Sequence, residues 1–427
     1  MALTERSSDP ASDVEQGPTL IPADRYTSPA WMALENERLW PRVWQVACSV
    51  DHVAEPGDFY EYRAGWLSVV IVRTDKGALR AFQNVCRHRG NTICQGTGTG
   101  LTELRCPFHR WAWTMDGLLR EVPNRKAFGL LDTADFSLFP VQVDTWGRLV
   151  FVNLDSSAMS LSDWLEGIPD DLSWCPVDDY RCDALVTSPV PANWKVVADG
   201  FSETYHVQGI HRELLGHMDD VNAPQKLWRR HGVSYQHYGV PSPRLGRNVP
   251  PETVWSTWMQ DMGTRLGLAA DAPMPAIPAG GTVQEAIAEG IIAYQAQQGV
   301  DVSNYDAARL TGMTQYNLFP NTTLLAMPDM IIVLCGRPGL TPDDAHFVML
   351  QLRRVNPGTP RSQPFTAELP ADTDLGLVMN QDVAIMQTMQ RGLHQPGLRH
   401  VAASAEECRL INLHRNLDEW VGSAGAM

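Results

Sequence analysis

"CRHRGNTICQGTGTGLTELRCPFHRWAW", Cys86 to Trp113, places a Cys-x-His pair and a Cys-x-x-His pair seventeen residues apart. Each pair sits in a turn-rich stretch between strand-like runs, so two opposed loops are expected to close on one centre from either side. Two thiolates and two imidazoles suit zinc or an iron–sulfur cluster. Structural zinc usually takes C-x2-4-C with H-x3-5-H, whereas each loop here offers one sulfur and one nitrogen. That division fits a [2Fe–2S] cluster with two Cys on one iron and two His on the other, which has a higher potential than an all-Cys cluster. A zinc-stabilised binding protein stays open as the alternative. Phe108, Trp111 and Trp113 supply aromatic cover for either.

Cys86-x-His88 and Cys106-x2-His109 resemble a Rieske [2Fe–2S] signature in residue identity, order and spacing. Working outward, "WLSVVIVRT", "ALRAFQNV" and "GRLVFVNLD" are short and β-branched, with Asp-Gly and similar turns between them. They predict a small all-β domain over 44–155. Residues 1–43 read as a polar lead and a helix, "SPAWMALENERLW", with Ser28 before it and Pro29 in its first turn. Beyond residue 156 the pattern becomes helical in "NWKVVADGFSETYHV", "GTVQEAIAEGIIAYQAQQ" and "LGLVMNQDVAIMQTMQRGL". Strand-like runs "TTLLAM", "MIIVLCGRP" and "HFVMLQLRRV" lie between the last two, so 156–427 predicts an α+β domain of helices on an antiparallel sheet. The Pro/Gly-rich stretch from Pro241 to Gly281 reads as a long excursion over that domain.

Length and charge bound the function. A chain of 427 residues holds more than one core, and 34 basic against 49 acidic residues, a formal charge of −15, disfavour a polyanionic partner such as nucleic acid. The N-terminus lacks the apolar core of a signal peptide and the Arg-rich makeup of a transit peptide, and no window approaches the roughly 18 apolar residues of a membrane span. The expectation is a cytoplasmic protein whose eight scattered cysteines are free thiols or ligands.

A cluster domain needs only part of this length, and "NWKVVADGFSETYHVQGIH", Asn193 to His211, carries a second constellation. On a helix Glu203 and His206 share a face, while His206 and His211 stand roughly 140° apart and meet one metal only if the helix ends between them. Gly209 is the residue that would permit the break. Non-haem Fe(II) oxygenases hold iron with two His and one carboxylate. Asp382, among Leu377, Val378, Met379, Val383, Ile385 and Met386, is the candidate acid, because an unpaired carboxylate near a core is costly. The competing readings are a structural His pair and a solvent-facing Asp382 beside Asn380 and Gln381.

Together the two signatures resemble the catalytic α subunit of Rieske non-haem iron aromatic-ring-hydroxylating oxygenases, from about Trp31 to Leu393. The resemblance implies a Rieske domain inserted in a helix-grip catalytic domain. It implies a [2Fe–2S] cluster on Cys86, His88, Cys106 and His109, and a mononuclear Fe(II) on His206, His211 and Asp382, with O2 as co-substrate. Glu203 falls on the acid that joins the two centres across a subunit boundary in these trimers, hydrogen-bonded to His206 and to the neighbour's His109. Many relatives read Glu-Asn where this chain has Asp199-Gly200, which leaves any role of that Asn unassigned here. The implied partners are a separate reductase, with or without a ferredoxin, since no flavin or nicotinamide fingerprint appears.

The run "YNLFPNTTLLAMPDMIIVLCG" with Met379 and Met386 is apolar and predicts a hydrophobic, aromatic or polycyclic substrate, hydroxylated once or twice. Glu at the bridge also occurs in relatives that oxidise quaternary amines or demethylate, so an N- or O-demethylating monooxygenase is the alternative. An electron carrier without the mononuclear iron is the third reading.

Overall fold

The computed structural model describes residues 17–246 and 248–422. Most of the polar lead therefore lies outside the described residues. Ser28 caps the first long helix, accepting the Trp31 N–H at 3.3 Å, and Pro29–Arg38 is helical as its sequence predicts. Glu35, on the buried face of this helix, accepts both indole N–H groups of Trp31 and Trp194, at 2.9 and 3.0 Å, and pairs with Lys195 at 2.5 Å. The strand Thr19–Pro22 pairs antiparallel with His400–Ala403. Both contacts pin the N-terminal segment to the catalytic core.

Among the described residues, seven strands between Gln45 and Asn153 form one sheet. Leu67–Arg73 explains why its run is apolar throughout. Val69 and Ile71 face the main core and Val70 and Val72 face a smaller core beneath the cluster loops, so both sides of the pleat are covered. Three short strands, Leu104–Arg105, Ala112–Trp113 and Leu119–Glu121, form a separate sheet that carries the second loop.

The catalytic part is built on a wide, mostly antiparallel sheet. Its centre runs Gly232–Tyr238, Met313–Leu318, Thr322–Ala326, Met330–Pro338, Ala345–Arg354, Tyr180–Val190, with Phe365–Glu368 added in parallel at one edge. The helix Trp194–Gly200 lies directly on the strand Met330–Pro338. A Cβ on Gly336 would stand 2.7 Å from the Trp194 carbonyl and 2.9 Å from Val197 Cβ, so only glycine allows this approach. That seat fixes where the following metal-binding segment begins.

Two elements depart from the sequence reading. The Pro241–Gly281 stretch, expected only as a long excursion, contains the helix Pro251–Met262, whose Val254, Trp255, Trp258 and Met259 are buried in a core of their own with Ile287 and Ile291. Its prolines sit at the N-cap and the first turn, where a missing N–H costs nothing, so proline content misleads there. The C-terminal helix Cys408–Val421, which buries Leu410, Leu413, Leu417 and Val421 at helical spacing, was not anticipated either. Among the described residues no helix is long and apolar enough to cross a membrane.

Candidate active site

The two cluster loops share one backbone design. The Cys86 N–H donates to the Asn91 carbonyl and its carbonyl accepts from Gly90; the Cys106 N–H donates to Trp111 and its carbonyl accepts from Arg110. Gly90 and Arg110 both take the left-handed conformation, at φ 76° and 66°, and Arg110 does so without glycine's freedom. The loops set the Cys86 thiol beside Cys106, burial and that neighbour raising its pKa, and set the His88 and His109 rings 4.7 Å apart. Sulfur thus faces sulfur and nitrogen faces nitrogen.

This arrangement fits a two-iron cluster better than one zinc. Among the described residues these four side chains do not converge on one ion-sized point, which a tetrahedral zinc requires. His88 stacks on Trp111 at 5.2 Å, and its Nδ1 is shut off from solvent with no hydrogen-bond partner among the described residues. A ligand at that nitrogen would remove the cost of the orphan. Burial, then the neighbouring His109 and Arg89, hold its imidazole below the usual range and so neutral, as ligation needs.

The second constellation forms differently from its sequence reading. The helix stops at Gly200, and Glu203 lies in the irregular link before a short helix, Val207–Ile210. His206 occupies the N-cap of that helix and His211 its C-cap, where ψ swings to 50°. The break falls at His211; Gly209 sits inside the turn and does not create it. Glu203 clamps its neighbour twice: Oε1 accepts from His206 Nδ1 at 2.5 Å and Oε2 from the His206 backbone N–H at 3.0 Å. His206 Nε2 is left free to bind a metal.

Asp382 is buried, only 6% exposed, on the same face of helix Leu377–Leu393 as Met386 and Gln390. The solvent-facing alternative is not the geometry; Asn380 turns outward to Asp374 instead, at 2.7 Å. Asp382 Oδ1 lies 2.9 Å from His211 Nε2 and 4.0 Å from His206 Nε2, and the three ligand atoms all fall within 4.8 Å of one another. His211 Nδ1 is 2.7 Å from Gln381 Oε1, an acceptor, so that ring nitrogen donates. The 2.9 Å contact between Nε2 and the carboxylate oxygen then needs a proton or a metal ion between the two atoms. Burial disfavours a proton on His211, but the hydrogen bond and charge of Asp382 outweigh it and raise its pKa. The donor set, two imidazole nitrogens and one carboxylate, is that of a facial-triad iron.

A cavity of about 360 Å³ opens at these residues, the lower range for ligand sites, ~300–1,000 Å³. Its walls include seven methionines, Leu325, Ile332 and Leu334, and the aromatic rings of Phe201 and Tyr238. Met379 lines it, as the sequence reading expected; Met386 is buried in the main core. Reading the sequence alone missed the polar lining. Glu213, Thr257, Gln260 and Asp261 all reach the cavity, three of them from the unanticipated helix Pro251–Met262. Asp261 has the fully buried His217 as partner, at 3.2 Å.

Both constellations lie within regions of the chain that match known families. Residues 173–423 match the family model "Ring hydroxylating alpha subunit (catalytic domain)", and 43–143 match "Rieske [2Fe-2S] domain". The chain is 32% identical over 225 residues to the carnitine monooxygenase oxygenase subunit of Escherichia coli K12, a match covering 52% of this chain and 59% of that protein. It is 30% identical over 213 residues to the glycine betaine monooxygenase oxygenase subunit of Chromohalobacter salexigens, covering 49% and 48%. The chain thus spans about half to three fifths of the length of these curated relatives. In fold it is similar to a quaternary ammonium Rieske monooxygenase crystallised with L-carnitine, at TM-score 0.68 and 19% identity over 95% of this chain and 97% of that one.

Proposed function

The chain belongs to the ring-hydroxylating α subunits that carry a Rieske domain, and from that premise we propose that it is the terminal oxygenase of a monooxygenase acting on a substituted amine. The observation that carries this reading is the similarity to oxygenase subunits named for carnitine and glycine betaine, both quaternary amines. It stands beside a cavity that combines apolar walls with carboxylates. The expected aromatic or polycyclic substrate rests on the apolar walls alone and yields to it.

The family's cofactors are a Rieske [2Fe–2S] cluster and a mononuclear iron, with O2 as co-substrate. Cys86, His88, Cys106 and His109 would hold the first and His206, His211 and Asp382 the second. Bound there, the iron supplies activation of O2 by electrons delivered one at a time through the cluster. The residues do the rest. Glu203 fixes His206 in the tautomer with Nδ1 protonated, and Gln381 fixes His211 likewise, so both Nε2 lone pairs point at one place. Each Glu203 oxygen keeps a second lone pair, enough to accept from a neighbouring subunit's His109. His109 is half-buried beside exposed Phe108, at a surface where a second subunit can approach. Electrons come from a separate reductase.

The overall reaction inserts one oxygen atom into a C–H bond on a carbon attached to nitrogen. O2, two electrons and two protons give the hydroxylated carbon and water; the C–N bond then breaks to a carbonyl compound and the smaller amine. Anaerobically reduced protein mixed with labelled O2 and a panel of amines and aromatics tests this. One labelled atom in an amine-derived product, or release of formaldehyde from an N-methyl compound, is expected. Two labelled atoms in one aromatic product would overturn it.

A further inference from the structure

Asp261 stands near the end of the helix Pro251–Met262 and lines the same cavity as His206 and His211. Its Oδ2 meets His217 Nε2 at 3.2 Å, and its Oδ1 has no hydrogen-bond partner among the described residues. Unlike Glu213, whose Oε1 is shut away from solvent, Asp261 has an open Oδ1, on a side chain that keeps 19% exposure. No lysine or arginine among the described residues pairs with it. His217 is poorly placed to balance the charge: it is fully buried and its Nδ1 has no partner, so an imidazolium would bury an N–H that nothing accepts. Arg265, the guanidinium of the lining, is held by Asp329 at 2.5 Å and by the Leu310 carbonyl at 2.7 Å. Glu203 and Asp382 are committed to His206 and His211. Asp261 thus brings an uncompensated charge and an accessible lone pair to a wall that is otherwise largely apolar.

Resting on the amine reading, we propose that Asp261 binds the charged nitrogen of the substrate by accepting its N–H, and that the substrate is therefore a protonated N-alkyl amine with an apolar body. A carboxylate oxygen with a free lone pair suits an N–H donor, and a contact of this kind is stronger than one between neutral groups. A quaternary ammonium has no N–H to give and is recognised by cages of aromatic faces. Phe201 and Tyr238 are the only Phe, Tyr or Trp rings in this lining, and Phe201 has one face covered by Phe347, stacked at 5.5 Å. Because Asp261, His206 and His211 bound one cavity, a nitrogen held at Asp261 keeps its alkyl carbons in the space that the two histidines also border. The rest of the molecule lies on the methionine, leucine and isoleucine walls.

The test uses the holoenzyme without an electron donor, with iron content and the reduced-cluster paramagnetic signal checked in each variant. Three probes are titrated calorimetrically: N,N-dimethylbenzylamine, its uncharged carbon isostere isobutylbenzene, and the quaternary benzyltrimethylammonium. The amine should bind about tenfold or more tighter than the isostere, the range for a hydrogen bond to a charged group. It should also bind tighter than the quaternary ion, and titration in two buffers of different ionisation enthalpy should show no net proton release. Asp261→Asn should erase the preference for the amine while leaving affinity for isobutylbenzene and both metal signals unchanged. Glu213→Gln should leave the preference in place. Equal affinity for amine and isostere in the unmodified enzyme, a preference that survives Asp261→Asn, or release of about one proton per amine would overturn the assignment. A quaternary ion bound as tightly as the amine would overturn the N–H contact. Failure of the amine reading looks different. An amine held through Asp261 but never oxidised would leave the binding site standing and remove the reaction; amines oxidised with KM indifferent to Asp261→Asn would do the reverse.

Discussion

His211 Nε2 stands 2.9 Å from Asp382 Oδ1 although 171 residues separate them. Both atoms are acceptors once His211 Nδ1 donates to Gln381, so the contact is stable only around a proton or a metal ion. The two candidate centres use no residue in common, which makes their separation measurable.

Asp382→Ala should lower the iron content from about three atoms per chain to about two and abolish turnover, with the reduced-cluster signal intact. Cys106→Ser should do the opposite, losing the visible cluster absorption and keeping about one iron. Metal analysis with paramagnetic resonance reads both. Loss of all iron in either variant would mean that the centres are not independent.

Glu203→Gln should keep both metals and lower turnover by about 10- to 100-fold, the usual cost of losing a group that orients a metal ligand. An amide still accepts one hydrogen bond but no longer carries the charge opposite His206. Stopped-flow reoxidation of the reduced cluster separates this from a substrate-binding defect. Unchanged reoxidation would take Glu203 out of the electron path.

Gly200 ends the helix Trp194–Gly200 and lines the cavity, and a Cβ there would meet only Met386 Cε, at 3.4 Å. Gly200→Ala should therefore leave the fold intact, even stabilised by up to ~0.5–1 kcal/mol, while narrowing the cavity. KM for bulky amines should rise with kcat held for small ones. A drop in the denaturation midpoint would show that the glycine serves packing instead.

Glu35 and Lys195 are almost fully buried, at 1% and 0% exposure. Glu35→Ala strands the ammonium and the two indole N–H groups of Trp31 and Trp194, and should destabilise by ~3–5 kcal/mol. Glu35→Leu with Lys195→Met should recover much of that. Denaturant unfolding of the three variants decides it.

His231 is buried with both ring nitrogens used: Nε2 donates to the Trp164 carbonyl at 2.7 Å and Nδ1 accepts the Phe319 N–H at 3.0 Å. Burial pulls its pKa down to about 4, and His52 is pulled to about 4 in the same way. The unfolded chain binds these protons near pH 6.5 and the fold does not. Stability therefore falls as pH drops from about 6.5 to 4, by up to about 3 kcal/mol for each histidine. His231→Gln should flatten that slope between pH 7.5 and 5; an unchanged slope would show that His231 is not buried neutral.

Much was legible along the chain because it was local. Two Cys/His loops spaced for one centre, a capped helix at Ser28, β-branched strands and an acidic residue among apolar ones each carry their signal within a few positions. Prolines at a helix N-terminus hid Pro251–Met262, and with it Thr257, Gln260 and Asp261, because proline marks helix starts and loops alike. The sequence by itself determined which residues were candidate donors and the α+β character of the fold, since residue type, spacing and periodicity are properties of neighbours. Only the tertiary structure decided that Asp382 turns inward to His211, that the helix breaks at His211 and not at Gly209, and that Thr257, Gln260 and Asp261 reach the cavity. Those outcomes depend on which surfaces a sheet and its helices bring together over more than a hundred residues, and no local pattern encodes that.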